Sequence, residues 1–243
     1  MWVERVPSGI EGLDKLMEGG FVKGSVTLIT GKTGTGKTAF CASFLYAGAL
    51  RGEPGVYVTS EERVEDIKND VKAMFGWDLD MLEKTGRIKF LALRPEFPSK
   101  VITGEDLGKL IKIYIFDLTD RIEKAVKEIN AQRLVIDSIS IIEMFIRDEY
   151  LCRVAIMQLL DKLRELGVTS LITGTIPETS EGLSGGGIVE FLADAIIKLD
   201  FVPVAEEFKR TLTIRKMRRT DHSIFIHPFE ITKDGLKVIE ITE

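Results

Sequence analysis

Cysteine is scarce in this 243-residue chain: Cys41 and Cys152 stand far apart, outside any CxxC or Cys/His grouping. That spacing offers neither a disulfide framework nor a zinc site, so both are expected as buried thiols. Positive charge is not in excess. With 33 Lys and Arg against 38 Asp and Glu, the formal charge is -5. No global field for holding DNA or RNA results, and a nucleic-acid role would need a local patch. No stretch approaches the ~18 apolar residues of a membrane span, and residues 1–7 lack an apolar signal-like region. A cytoplasmic protein without membrane contact is expected. Side-chain amides are few, confined to Asn69, Asn130, Gln132 and Gln158, while Lys and Glu are plentiful, a balance that leans toward thermophile proteins. Internal repeats and low-complexity linkers are also missing. With 44% hydrophobic residues, the chain fits one α/β domain over residues 1–243.

Short apolar runs alternate with segments of helical period, the pattern of a mainly parallel central sheet flanked by helices. Residues 26–29, 56–58, 134–136 and 170–172 read as buried strands. Three stripes recur at helical spacing: Val64, Ile67, Val71 and Met74; Ile122, Val126 and Ile129; and Ile156, Leu159, Leu160 and Leu163. All three are expected to face the core. From Ala195 onward the runs 196–199, 212–214, 224–226 and 238–241 predict a C-terminal antiparallel β extension of the same sheet. The loosest stretches are 94–104 and 177–187. The second contains Ser184-Gly-Gly-Gly187, which suits a loop beside a ligand and an ordinary connection equally well.

The segment Gly31, Lys32, Thr33, Gly34, Thr35, Gly36, Lys37 and Thr38 fits GxxxxGK[ST] and stands between a predicted strand and the Ala-rich run that starts at Ala39. Glycines allow the backbone to wrap phosphates, so that amide N–H groups and a helix N-terminus, reaching Ala39, face negative oxygens. Lys37 is placed to reach the β and γ phosphates, and the Thr38 hydroxyl to meet magnesium. The alternative is a glycine-rich turn with an exposed lysine; the strand-to-helix context favours nucleotide binding, and the base, adenine as ATP or ADP, is what the family resemblance given below implies.

Two further acidic positions fit this chemistry. Residues 133–138, Arg-Leu-Val-Ile-Asp-Ser, form an apolar strand ending in Asp137, the Walker B form of a magnesium-binding carboxylate. Such an Asp also serves as a turn or cap residue. The strand at 56–58 leads to Glu61 and Glu62, at the sheet edge where α/β proteins bind ligands. One carboxylate can accept a proton from the attacking water while the other tunes it; Glu61 is favoured as the base. The competing reading is favourable charge in the first turn of a helix at Val64.

Taken in order, these residues resemble the KaiC-like branch of the RecA superfamily, in its single-domain archaeal form. The opening 5–14, Gly19 to Gly24, the Glu61-Glu62 pair, Phe75-Gly-Trp-Asp-Leu79, Ile136-Asp-Ser138 and Glu190-Phe-Leu-Ala-Asp194 carry the likeness along nearly the whole chain. The resemblance implies a RecA-like P-loop NTPase core and paired catalytic glutamates. Lys216-Met-Arg-Arg-Thr-Asp-His222 is similar to the family's K-x-R-G-T-x-H segment, whose cations reach ATP held by a neighbouring subunit. It implies a homo-oligomeric ring, usually a hexamer, in which Lys216 and Arg218 act on the partner's phosphates and His222 frames the nucleotide. Lys216 and Arg218, two apart on a strand, share a face; a solvated basic strand is the plainer alternative. Arg219 replaces the family's glycine. The clock role is not carried over, because the family's clock members carry two ATPase domains against the one read here; nor is autophosphorylation, since Glu190 and Phe191 stand where their second domain has a Ser/Thr phosphoacceptor pair.

The expected function is magnesium-dependent ATP hydrolysis by a ring-forming regulatory or motor ATPase. A recombination accessory protein of the RadA or RecA type shares the fold, but the loops 143–150 and 178–190 do not combine basic residues with stacking aromatics. A nucleotide-switched scaffold with negligible turnover is the third reading.

Overall fold

β-Branched runs bounded by glycine and polar turns form most strands of the sheet. The computed structural model describes residues 2–93, 105–176, 182 and 187–241, with side chains in the long fourth helix from residue 108 onward. In chain order come β1 (Arg5–Val6), a 3₁₀ turn (Asp14–Met17), β2 (Phe21–Val22), β3 (Val26–Gly31), α1 (Lys37–Leu50) and β4 (Gly55–Thr59). Next are α2 (Val64–Phe75), α3 (Leu79–Lys84), β5 (Ile88–Ala92), α4 (Glu105–Ile129), β6 (Arg133–Asp137) and α5 (Ser140–Phe145). Then follow α6 (Glu149–Glu165), β7 (Thr169–Thr175), α7 (Val189–Leu192), β8 (Ala195–Val204), β9 (Glu207–Met217), β10 (His227–Thr232) and β11 (Gly235–Val238).

β1 and β2 pair as a small antiparallel ribbon, and the other nine strands form one sheet ordered β11-β10-β9-β8-β3-β7-β6-β4-β5. β5, β4, β6, β7, β3 and β8 run parallel, while β9, β10 and β11 add on antiparallel. This is the predicted RecA-like arrangement with its C-terminal extension, except that 196–199 falls in β8, which runs parallel to β3, so the antiparallel part starts at β9. Because side chains alternate along a strand, both sheet faces need cover. Ile29, Tyr57, Val135 and Leu171 pack toward α1 and α2. Leu28, Val56, Leu134 and Ile172 pack toward α4 and α6. Among the described residues no helix is long and apolar enough to cross a membrane.

The predicted stripes on α4 and α6 face the core, and both cysteines are buried and free. Met74 departs from its stripe: it is exposed while Ile67 and Val71 are fully buried, because α2 covers the sheet only with a narrow seam. The expected strand at 224–226 does not form. Ile224 and Ile226 lie 80% and 58% exposed, and the strand starts instead at buried His227. Alternation alone cannot tell which face has a partner. The last strand lies at Gly235–Val238, earlier than the expected 238–241. Of the two loose stretches, 94–104 and all of 177–187 except Gly182 and Gly187 lie outside the described residues.

Candidate functional site

Parallel strands share one carboxyl edge, so β3, β4, β6 and β7 bring Gly31, Thr59, Asp137 and Thr175 to the same side of the sheet. Gly31 stands where nothing larger fits: a Cβ there would lie 2.4 Å from the Leu199 carbonyl oxygen. Gly36, at φ 108°, caps α1, and the amides of Lys37, Thr38 and Ala39 occupy its first turn, where no intrahelical acceptor exists. The Lys37 ammonium folds inward, donating to the carbonyls of Gly31 at 2.8 Å and Lys32 at 3.0 Å. Burial lowers its pKa, opposed by the charges of Asp137 and Glu61. The Thr35 hydroxyl ties the loop to the Lys32 carbonyl at 2.8 Å. Thr33 and Gly34 form the exposed crest of the turn.

Asp137 accepts three side-chain hydroxyls. Thr38 at 3.0 Å and Tyr57 at 2.7 Å donate to Oδ2, and Thr173 at 2.6 Å donates to Oδ1. The peptide that follows, Asp137–Ser138, is cis. Ser138 turns back toward β4: its hydroxyl donates to Glu61 Oε1 and its N–H to Ser60 Oγ, at 3.1 Å. Glu61 and Glu62 precede the Arg63 cap of α2, whose first-turn acids are Glu65 and Asp66. The helix first-turn explanation for the glutamate pair therefore does not hold. Glu62 is solvent-facing, yet partial desolvation, followed by Asp137, Asp70, Glu61 and Asp66, raises its pKa. Burial first, then Asp137, drives Tyr57 well above the usual phenol range, so it remains a donor.

The C-terminal cations are not brought to this loop within the chain. Lys216 pairs with Ile196, which is level with Leu28, so it sits three residues before Gly31, or about 10 Å along the sheet. Its ammonium caps α7 through the carbonyls of Glu190 at 3.0 Å and Ala193 at 2.6 Å. Arg218 lies further down, exposed, 3.7 Å from Asp194. His222 contacts the Ser223 carbonyl through Nδ1 at 2.9 Å. Arg219 keeps the left-handed conformation of a glycine, with φ 60°. Its carbonyl accepts from Arg5.

Sequence reasoning missed Tyr57, Ser138 and Thr173. Tyr57 and Thr173 resemble ordinary strand residues, and only register reveals them: Thr59 pairs with Asp137, so Tyr57 is its diagonal neighbour on the same face. Ser138 stood next to Asp137 and was the one available signal.

The donor set fits nucleotide and magnesium. A hydroxyl and a carboxylate 3.0 Å apart are hard oxygen ligands, and the ammonium of Lys37 beside the first-turn amides suits phosphate oxygens.

A family model for ATPases of the KaiC type matches residues 6–243. A UPF0273 protein of Thermotoga maritima is 37% identical over 239 residues, covering 97% of this chain and 96% of that one. The circadian clock protein KaiC3 of Synechocystis is 36% identical over 243 residues, and the chain spans 46% of its length. The crystal structure of a KaiC-like protein from Pyrococcus horikoshii superposes with a TM-score of 0.83 at 42% identity, covering 98% of this chain and all of that one.

Proposed function

Since the chain belongs to the KaiC family of ATPases, we propose that it hydrolyses ATP to ADP and phosphate with magnesium, as a single-domain cytoplasmic protein working in a ring, with the hexamer as the favoured form. The carrying observation is the convergence of Lys37, Thr38, Asp137 and Glu61 at one sheet edge, joined by the Thr38–Asp137 and Ser138–Glu61 hydrogen bonds.

In this reading Gly31 to Ala39 bind the phosphates, and Lys37 leaves the carbonyls of Gly31 and Lys32 to meet the β and γ oxygens. Thr38 and Asp137 hold the magnesium, which when bound offsets the charge developing on the phosphates. Glu61 orients the attacking water and takes its proton, with Ser138 fixing the carboxylate. The Ser138 hydroxyl bond, which holds Glu61 beside Asp137, supports Glu61 as the base. Glu62 adjusts the negative field behind it.

Lys216, Arg218 and His222 are assigned to a neighbour's nucleotide. The distance of Lys216 and Arg218 from the chain's own loop supports action in trans. Phosphate release from wild type, Lys37→Ala and Glu61→Gln tests the hydrolysis: both variants should lose at least about a hundredfold. Turnover that survives Glu61→Gln would sink the enzyme reading and favour a scaffold. Strong stimulation by single-stranded DNA would move it to recombination. Mixing inactive Lys37→Ala and Arg218→Ala subunits tests the shared site, because about a quarter of interfaces would then be intact. No recovered activity would remove the trans assignment.

A further inference from the structure

We propose that Tyr57 is a positioning residue that holds Asp137 for magnesium, through its hydroxyl bond to Oδ2. The inference rests on the metal role just proposed for Thr38 and Asp137. Of the three hydroxyls on Asp137, that of Thr38 is the one a metal ligand role withdraws. Tyr57 at 2.7 Å and Thr173 at 2.6 Å then remain, one on each carboxylate oxygen and one from each strand flanking β6. Together they fix the plane of the carboxylate, leaving the remaining lone pairs for the metal or its water.

Tyr57 is suited to this by its own restraint. The side chain is 1% exposed, and its ring stacks on Phe90 with centroids 5.5 Å apart and planes 23° from parallel. Strand register adds a second constraint, since Gly55 pairs with Arg133 and Thr59 with Asp137, locking Tyr57 diagonally opposite the acid. A phenol so held cannot follow a wandering carboxylate; the carboxylate must come to it. Hydrogen bonds to a metal-ligating carboxylate are worth about 10- to 100-fold in metal affinity or activity. For bare packing phenylalanine would serve, so the hydroxyl is the feature that needs a role.

The test is binding of a fluorescent ADP analogue to wild type and Tyr57→Phe, each measured in EDTA and in excess magnesium. Tyr57→Phe keeps the ring and its stack. Its affinity in EDTA should match wild type within about twofold, while the gain in affinity produced by magnesium should shrink about tenfold. Phe90→Leu is the packing comparison: strand register still holds Tyr57 beside Asp137, so it should lower thermal stability and keep most of the magnesium gain. An unchanged magnesium gain in Tyr57→Phe, with wild type showing one, overturns the positioning role and leaves the metal site standing. A wild type without any magnesium gain overturns the metal reading and this inference together. A Phe90→Leu variant that loses the gain as fully as Tyr57→Phe overturns the hydroxyl's role in favour of packing.

Discussion

Gly48→Ala should destabilise the protein, although alanine normally improves a helix. Gly48 lies inside α1, where replacing glycine by alanine is worth about 1 kcal/mol of intrinsic helix stability. Here a Cβ would meet Arg133 Cδ at 2.4 Å, Arg133 Nε at 2.5 Å and the Glu53 carbonyl oxygen at 3.0 Å. The arginine has no room to retreat. Its side chain is fully buried, donates to Glu53 Oε2 through Nε at 2.9 Å and Nη2 at 2.5 Å, and reaches the Phe44 carbonyl at 2.7 Å. The guanidinium also lies 4.5 Å over the Phe44 ring. Breaking a buried ion pair costs about 3–5 kcal/mol, and Glu53 is partly exposed, so the lower end applies. Subtracting the helix gain of about 1 kcal/mol leaves a net loss of about 2 kcal/mol. Guanidinium chloride unfolding followed by circular dichroism measures it. The same substitution in an Arg133→Val background, which has no atom past Cγ, should be close to neutral, because only the 3.0 Å contact with the Glu53 carbonyl then opposes the helix gain of about 1 kcal/mol. Gly48→Ala as stable as wild type, or an equal loss in both backgrounds, would refute the steric account.

Arg219→Gly should raise stability by about 1 kcal/mol in the same assay, because an arginine at φ 60° carries left-handed strain that glycine avoids. His227 predicts a pH dependence. The Ile241 N–H donates to Nδ1 at 3.0 Å, so the neutral ring carries its proton on Nε2, which faces Ser223 Oγ at 2.7 Å. Burial lowers its pKa, against an interaction at Ile239 and the charge of Glu240. A histidine depressed in the folded state binds more protons when unfolded. Its contribution is therefore complete above about pH 6.5 and is lost as pH falls toward the folded value, with a slope of at most about 1.4 kcal/mol per unit. His227→Gln should flatten that part of the stability-against-pH curve; an unaltered slope would assign it to other groups.

The phosphate loop and Asp137 were legible because each combines a residue pattern with a strand end, and the pattern and the strand end are both local. The four buried parallel strands were legible for the same reason, as continuous apolar runs covered on both faces. What failed was long-range. Residues 224–226 alternate like a strand, but alternation says nothing about a partner, and Ile224 and Ile226 found none. Tyr57 and Thr173 look like strand formers until the register sets them beside Asp137. The helix-charge explanation for Glu61 and Glu62 failed although α2 starts at Val64 as expected, because both glutamates precede its Arg63 cap.

The separation of the phosphate loop at the end of β3 from Lys216, level with its middle, and Arg218, level with its start, has a consequence for counting. If the cations serve a neighbour, one face of each subunit supplies the loop and a different face supplies the cations, so subunits join head to tail. An open chain of such subunits always has a terminal loop with no donor. Only closure makes complete sites equal in number to subunits, so turnover per subunit should rise with protein concentration until the ring closes and stay level thereafter.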